Sequence, residues 1–283
     1  MTKLFAVRRL QILRRALWLS LLAIPCAHAG TFPLWEAGVG IGVLSLPDYR
    51  GADQRGQTVL PLPYLVYRGE WLKADRDGIR TMLFQSERIE LNISALGTLP
   101  VTSRNNNARR GMADLRPTVE LGPTLNIHLR PPDSRSTLQL RFPLRAAIAL
   151  DTPLRHVGWV FAPSLGWQGR ELPGMAGWNL SVSGGPQFQD RRYNETFYSV
   201  ASSEVLPSRP AYAARAGYAG SQVTVTLTRR FPNFWVGAFA RYDYLGGAAF
   251  EDSPLMRSRN SLAAGFGVSW VFGQSRTMVE ANE

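Results

Sequence analysis

Apolar and polar residues alternate along much of this chain with a period of two. Between Trp35 and Val43 the odd positions are Trp35, Ala37, Val39, Ile41 and Val43, and the even ones are Glu36, Gly38, Gly40 and Gly42. Val119, Leu121, Pro123, Leu125, Ile127 and Leu129 alternate with Glu120, Gly122, Thr124, Asn126, His128 and Arg130. Leu138, Leu140, Phe142, Leu144, Ala146 and Ile148 alternate with Gln139, Arg141, Pro143, Arg145, Ala147 and Ala149. Near the end Leu262, Ala264, Phe266, Val268, Trp270 and Phe272 alternate with small residues. A period of two places each set on one side of a β-strand.

The lengths of the runs decide which kind of β-protein this is. They are about 9–13 residues long, whereas an ordinary globular strand has ~5–6 and a tilted membrane strand needs ~9–11. One face is apolar, with aromatics near the strand ends, and the other carries Arg, Glu, Asn, His and Gly. That is the pattern of a barrel with lipid outside and a polar interior. A soluble sandwich would bury its apolar faces against each other and seldom needs so many long strands.

The pattern predicts an antiparallel transmembrane β-barrel of about 12 strands over residues 30–272. The strands are Leu34–Ser45, Val59–Tyr67, Glu70–Phe84 (bent at Asp75–Gly78), Arg88–Pro100, Pro117–Leu129, Thr137–Ala149, Val157–Trp167, Gly177–Gln187, Arg192–Val200, Ser221–Arg230, Phe234–Tyr244 and Ser261–Phe272. Bacterial single-chain barrels have even strand numbers. Both termini then lie in the periplasm, and Leu46–Thr58, Ala201–Gly220 and Leu245–Asn260 become long extracellular loops. Val101–Arg116 is also long and polar, yet this count puts it on the periplasmic side. Either Glu70–Phe84 splits into a hairpin or Val101–Arg116 is a periplasmic feature.

The N-terminus agrees with export. Met1–Ala29 has a basic start (Lys3, Arg8, Arg9, Arg14, Arg15), a nine-residue apolar run at Ala16–Ile24, and Ala27-His28-Ala29 before a cleavage point at Gly30. This is the layout of a signal peptide. The apolar run is too short to span a bilayer, which takes ~20 residues. Pro25 before Cys26 argues against lipidation. Cleavage removes that sole cysteine, which leaves no thiolate metal site. It also lowers the formal net charge from +11 to +6. A basic balance suits anionic lipid, and export argues against nucleic acid. The expected location is the outer membrane of a Gram-negative cell, in contact with lipid and lipopolysaccharide.

Few residues suggest chemistry. His128 and His156 lack a His-x-Ser signature, and a Ser–His hydrolase also needs an orienting third group. Asp75-Arg76-Asp77-Gly78 opens like a calcium loop, but Arg80 and Ser86 stand where Gly and Glu are required. Asp243, Glu251 and Asp252 lie at an external loop and could bind divalent cations beside lipopolysaccharide, or simply be solvated. The Gly-x-Gly runs precede no helix and are not phosphate loops. No catalytic, cofactor-binding or metal-binding residue is assigned, and no enzyme is expected. Arg88, Glu90, Glu120, His128, Arg130, Arg141 and Arg145 are the candidate lumen lining, either an anion-favouring pore or a plug of Arg–Glu pairs.

The last third carries a recognisable set: Arg209-Pro210-Ala211-Tyr212, Phe234-Trp235, Arg241-Tyr242-Asp243-Tyr244-Leu245, Gly247-Ala248, Asp252-Ser253-Pro254-Leu255 and Gly265-Phe266-Gly267-Val268-Ser269-Trp270-Val271-Phe272. Trp35–Gly40 and Pro47-Asp48-Tyr49-Arg50-Gly51 join it. This resembles the MipA/OmpV family of outer-membrane proteins. The resemblance implies a non-enzymatic envelope scaffold that links a lytic transglycosylase to a penicillin-binding protein. A small-solute channel and a surface adhesin are the alternatives. Gly267, Trp270 and Phe272 resemble the terminal assembly signal of outer-membrane barrels. Gly273–Glu283 follows that signal, as a polar tail expected to hang in the periplasm.

Overall fold

The computed structural model describes residues 30–75, 78–130, 136–170 and 174–281. The leader Met1–Ala29, and Arg76 and Asp77 of the calcium-like stretch, lie outside them.

The strands are β1 (Gly30–Pro33), β2 (Trp35–Pro47), β3 (Arg55–Arg68), β4 (Leu72–Asp75), β5 (Gly78–Gln85), β6 (Ile89–Gly97), β7 (Thr118–His128), β8 (Ser136–Ala149), β9 (Arg155–Phe161), β10 (Ser164–Arg170), β11 (Trp178–Gln189), β12 (Gly217–Arg230), β13 (Phe234–Tyr244), β14 (Asn260–Gln274) and β15 (Met278–Ala281). Among the described residues one α-helix, α1, spans Arg191–Tyr198. The sheet from β2 to β14 is antiparallel throughout and closes on itself. β9 and β10 share one place in the ring, because the chain breaks step at Ala162-Pro163. β9 lies along Leu144–Ala149 of β8 and β10 along Ser136–Arg141 of the same strand. The closed sheet's thirteen strands therefore occupy twelve places, the number expected.

Two of the expected elements are different in the structure, and their effects on the count cancel. Glu70–Phe84 is a hairpin of two strands, β4 and β5. Arg192–Val200 is a helix instead of a strand. Its start is capped by Asp190, whose carboxylate accepts from the Tyr193 amide at 2.8 Å, as an N-cap side chain does. Tyr193 and Phe197, four apart on one helical face, pack inward. The hairpin reverses the chain once more than expected. It therefore carries residues 98–117 to the same end as the other long loops, away from the termini.

The alternation sets the faces. Outward residues such as Ile41, Val59, Phe266 and Trp270 are all more than half exposed and form an apolar belt. On β6 to β8 the inward residues are small or polar, Asn92, Ser94, Glu120, Gly122, Thr124, Asn126, Gln139 and Arg145 among them. Glycine is obligatory at Gly40, where a Cβ would lie 2.0 Å from the Val268 carbonyl oxygen on β14. At Gly237 the missing side chain makes room for the Trp235 ring, 2.1 Å from where a Cβ would sit.

The segment after Phe272 does not hang free. β14 runs on to Gln274, and β15 pairs with β1 in a separate two-stranded sheet, Gly30 opposite Ala281 and Pro33 opposite Met278.

Candidate functional site: the lumen and its cap

The interior has two halves of different character. The half toward the long loops is filled. Residues from four loops form one buried apolar cluster: Tyr49 and Ala52, then Leu115, then Tyr198, Val200 and Ala214, then Ala248, Phe250 and Leu255. Tyr198 and Phe250 stack face to face, with centroids 3.6 Å apart and planes within 5°. Long connections normally cover the surface because buried backbone needs partners, and here side chains supply them. The Tyr49 hydroxyl donates to the Leu255 carbonyl at 2.7 Å, and that of Tyr198 to the Arg50 carbonyl at 2.9 Å. Arg109 donates to the Phe197 carbonyl at 3.0 Å. Arg209 reaches the carbonyls of Ala108 at 2.9 Å and Arg110 at 3.0 Å, which explains the Arg209–Tyr212 motif as the joint between two loops. Burial pushes the Tyr49 hydroxyl up to about 12, with Arg109 opposing, and it raises Tyr198 further.

Polar groups lock the cap to the barrel wall. Asp243 is fully buried and holds Arg50 at 2.9 Å and Arg241 at 3.1 Å. It is therefore an internal ion pair and not part of an external cation site. Glu251 pairs with Arg259 at 2.6 Å. No cluster of His, Cys, Asp or Glu suited to a metal occurs among the described residues. The α1 residue Tyr193 donates to Glu120 at 3.0 Å, and Arg145 donates to Ser94 at 3.1 and 3.0 Å. Glu120 and Arg145 thus belong to the filled half.

The half toward the termini is hollow. A cavity of about 670 Å³ lies there, lined in part by Glu90, His128 and Arg141. Three of the candidate lumen residues therefore meet in one chamber. Arg88 and Arg130 do not join them: both are exposed at the terminus end of the barrel, where Arg130 donates to Ser136 at 3.1 Å. Arg–Glu pairing is present but local. Arg80 holds Asp75 at 2.8 Å and lies 3.8 Å from Glu90. Glu36, nearly inaccessible, binds Arg68 at 2.8 Å and Arg230 at 2.7 Å.

The opposite wall of the chamber is apolar, made by Leu44, Leu60, Leu62, Tyr64, Trp235 and Phe239. Alternation alone did not reveal this, because Leu60 and Leu62 lie in a run, Val59–Tyr67, that is apolar on both faces. His156 lies beside Arg192 at 3.3 Å and edge-on to Trp159, with no serine in a relay. Trp270 and Phe272 point outward and Gly267 inward, against Leu62.

Residues 39–272 match the family described as MltA-interacting protein MipA. The chain belongs to the MipA family. Among curated proteins no relative matches it. Solved structures similar to it include the COG4313 outer membrane channel from Pseudomonas putida F1, at 13% identity, 89% of this chain, 100% of that one and TM-score 0.42. The outer membrane channel DcaP of Acinetobacter baumannii is similar at 10% identity, 86% and 98% coverage and TM-score 0.35. This MipA-family chain is an outer-membrane barrel. Its termini and short turns face the periplasm and its long loops face outward, as in other bacterial barrels. The cap is thus extracellular and the chamber periplasmic.

Proposed function

We propose that this protein is a non-enzymatic docking barrel. Its periplasmic rim would hold a lytic transglycosylase and, through it, a penicillin-binding protein, while the outer belt sits in lipid and lipopolysaccharide. The observation that carries this reading is the filled extracellular half. A channel needs an aqueous path from end to end, and four interlocked loops stand across it. Only large barrels leave a wide channel without such filling. The family description, an interacting protein of a lytic transglycosylase, supplies the partner.

The channel reading keeps one observation in its favour, the periplasmic chamber. Two measurements on the same preparation separate the readings. Protein in lipid nanodiscs should bind a purified membrane-bound lytic transglycosylase saturably. Binding should fall when the periplasmic turns at 69–71 and 231–233 are replaced, and persist when the extracellular loop at 201–213 is shortened. Large steady conductance together with no binding would make the channel the primary function.

A further inference from the structure

The upper part of the wall beside β9 is helix, not strand. On one side β9 pairs with β8 from Leu144 opposite Phe161 to Ala149 opposite Arg155. On the other it has two pairs with β11, Phe161 with Phe188 and Val160 with Gln189. Beyond them β11 ends and α1 begins. The Asp190 amide donates to the Trp159 carbonyl at 3.1 Å. Gly158 makes the close approach possible, since a Cβ there would lie 2.2 Å from the Asp190 carboxylate and 2.5 Å from the Tyr193 amide nitrogen.

This placement brings Arg192 to the outer surface. Its guanidinium lies 3.3 Å from Nδ1 of His156. Arginine only donates, so Nδ1 accepts. The His156 ring stands edge-on to Trp159, which is 45% exposed on the outer face. Trp159 and His156 stand opposite Ala146 and Ile148 of β8. Phe142 is near the middle of that strand. Ile148 is about six residues further up, which is ~15 Å at the usual rise and tilt. The apolar band is ~25 Å tall. Trp159 therefore belongs to the outer aromatic girdle, and His156 and Arg192 lie just above the hydrocarbon.

A recess opens at the same level. The turn at 150–154 is extracellular, because the Leu150 amide donates to the Pro117 carbonyl at 2.9 Å. The recess, about 620 Å³, is lined by Arg116, Leu150, Asp151, Leu154 and Arg155 among others. Asp151 is shared by Arg116 and Arg155, at 3.3 Å from each. One carboxylate between two guanidiniums leaves a positive charge over. Arg191 is taken by Glu195 at 2.7 Å, whereas among the described residues no carboxylate pairs with Arg192. Leu150 and Leu154 are half or more exposed beside these charges. Arginine forks suit phosphate oxygens, and leucines beside them suit an acyl chain.

We infer that Arg116, Arg155 and Arg192 form a site for one lipopolysaccharide molecule of the outer leaflet. A phosphate on its sugar backbone would sit among the three guanidiniums, with an acyl chain on Leu150, Leu154 and Trp159. His156 is a positioning residue that holds Arg192. The inference rests on the placement of the outer belt in lipopolysaccharide and needs no enzyme partner.

The test uses the whole protein in phosphatidylcholine nanodiscs doped with lipid A. Native mass spectrometry of the ejected protein should show one retained lipid A molecule per barrel. Lipid A stripped of its phosphates should be retained roughly tenfold less, the worth of one charge-assisted hydrogen bond. Excess phosphatidylglycerol should not displace the intact form. Joint Arg155→Gln and Arg192→Gln replacement should lower retention about as much, with heat-modifiable migration as the check on folding. Arg55→Gln, at the exposed extracellular end of β3 across the ring, should leave it unchanged. No retained lipid A, equal retention of the dephosphorylated form, displacement by phosphatidylglycerol, or an equal loss with Arg55→Gln overturns the site. Transglycosylase binding, measured on the same nanodiscs, should not respond to the double replacement. Its absence from every preparation, with lipid A retained, would count against the docking role alone.

Discussion

At the scale of single residues, the cap's stability depends on keeping buried phenols neutral. Tyr49 ionises in the folded protein at about 12, against ~10 in an open chain. A raised pKa means the folded state prefers the protonated hydroxyl. Its stabilising contribution is therefore complete below pH 10, and it is lost as pH climbs from 10 toward 12. The cap should loosen in that window, seen as a cooperative rise in tyrosinate absorbance while barrel circular dichroism persists. Tyr49→Phe should remove its own part of the absorbance rise and weaken the cap by about 1 kcal/mol, the usual worth of one hydrogen bond. On the outer face, Leu125 pairs with Leu91 and Phe142 of the neighbouring strands. Leu125→Arg should cost ~2–4 kcal/mol if it lies at the bilayer midplane, read as lost heat-modifiable barrel. Unchanged assembly would mean that this face does not meet lipid.

At the scale of elements, the sequence showed faces more clearly than turns. Long alternating runs such as Thr137–Ala149 carry their structure locally, because each residue's polarity states its side. The hairpin β4–β5 does not. Its first strand has four residues, too few for a period to show, and Asp-Arg-Asp-Gly reads equally as a bend or a reversal. The helix α1 was hidden differently. Its aromatic-rich sequence suits a strand, and only the Asp190 cap with Tyr193 and Phe197 four apart points to a helix. Within the chamber, Glu90, His128 and Arg141 were legible from polar alternation. The apolar wall was not, since an inward leucine in a membrane strand looks like an outward one. At the C-terminus, Trp270 and Phe272 are outward and exposed, as a recognised strand signal would be. Phe272→Ala should lower the assembled amount more than removal of residues 278–283, measured as barrel yield. The reverse ranking would assign the signal to β15.

At the scale of the whole molecule, a barrel closed on one side should behave electrically as a wall. We expect little steady conductance in planar bilayers from the intact protein. Replacing residues 191–213 with a short Gly-Ser turn removes α1, the Tyr198–Phe250 stack and the Tyr193–Glu120 bond. Steady conductance should then appear, limited in size by the chamber. If the shortened protein stays silent while still migrating as a barrel, the obstruction lies lower, among Arg145, Ser94 and Thr124.

The small sheet of β1 and β15 bears on how such a ring is completed. A barrel is finished when its last strand finds its first, and here those strands, β14 and β2, lie more than two hundred residues apart in the chain. Joining distant points costs entropy that grows only as the logarithm of the separation, but the cost falls at one moment, when the seam starts to close. Four residue pairs just below that seam act like the box of a zipper: they bring the two edges level before the teeth engage. Once they hold, the register from Glu36 with Gln274 up to Ser45 with Ala264 follows one rung at a time. Deleting either half of the box would leave the finished barrel nearly as stable and make it slower to form.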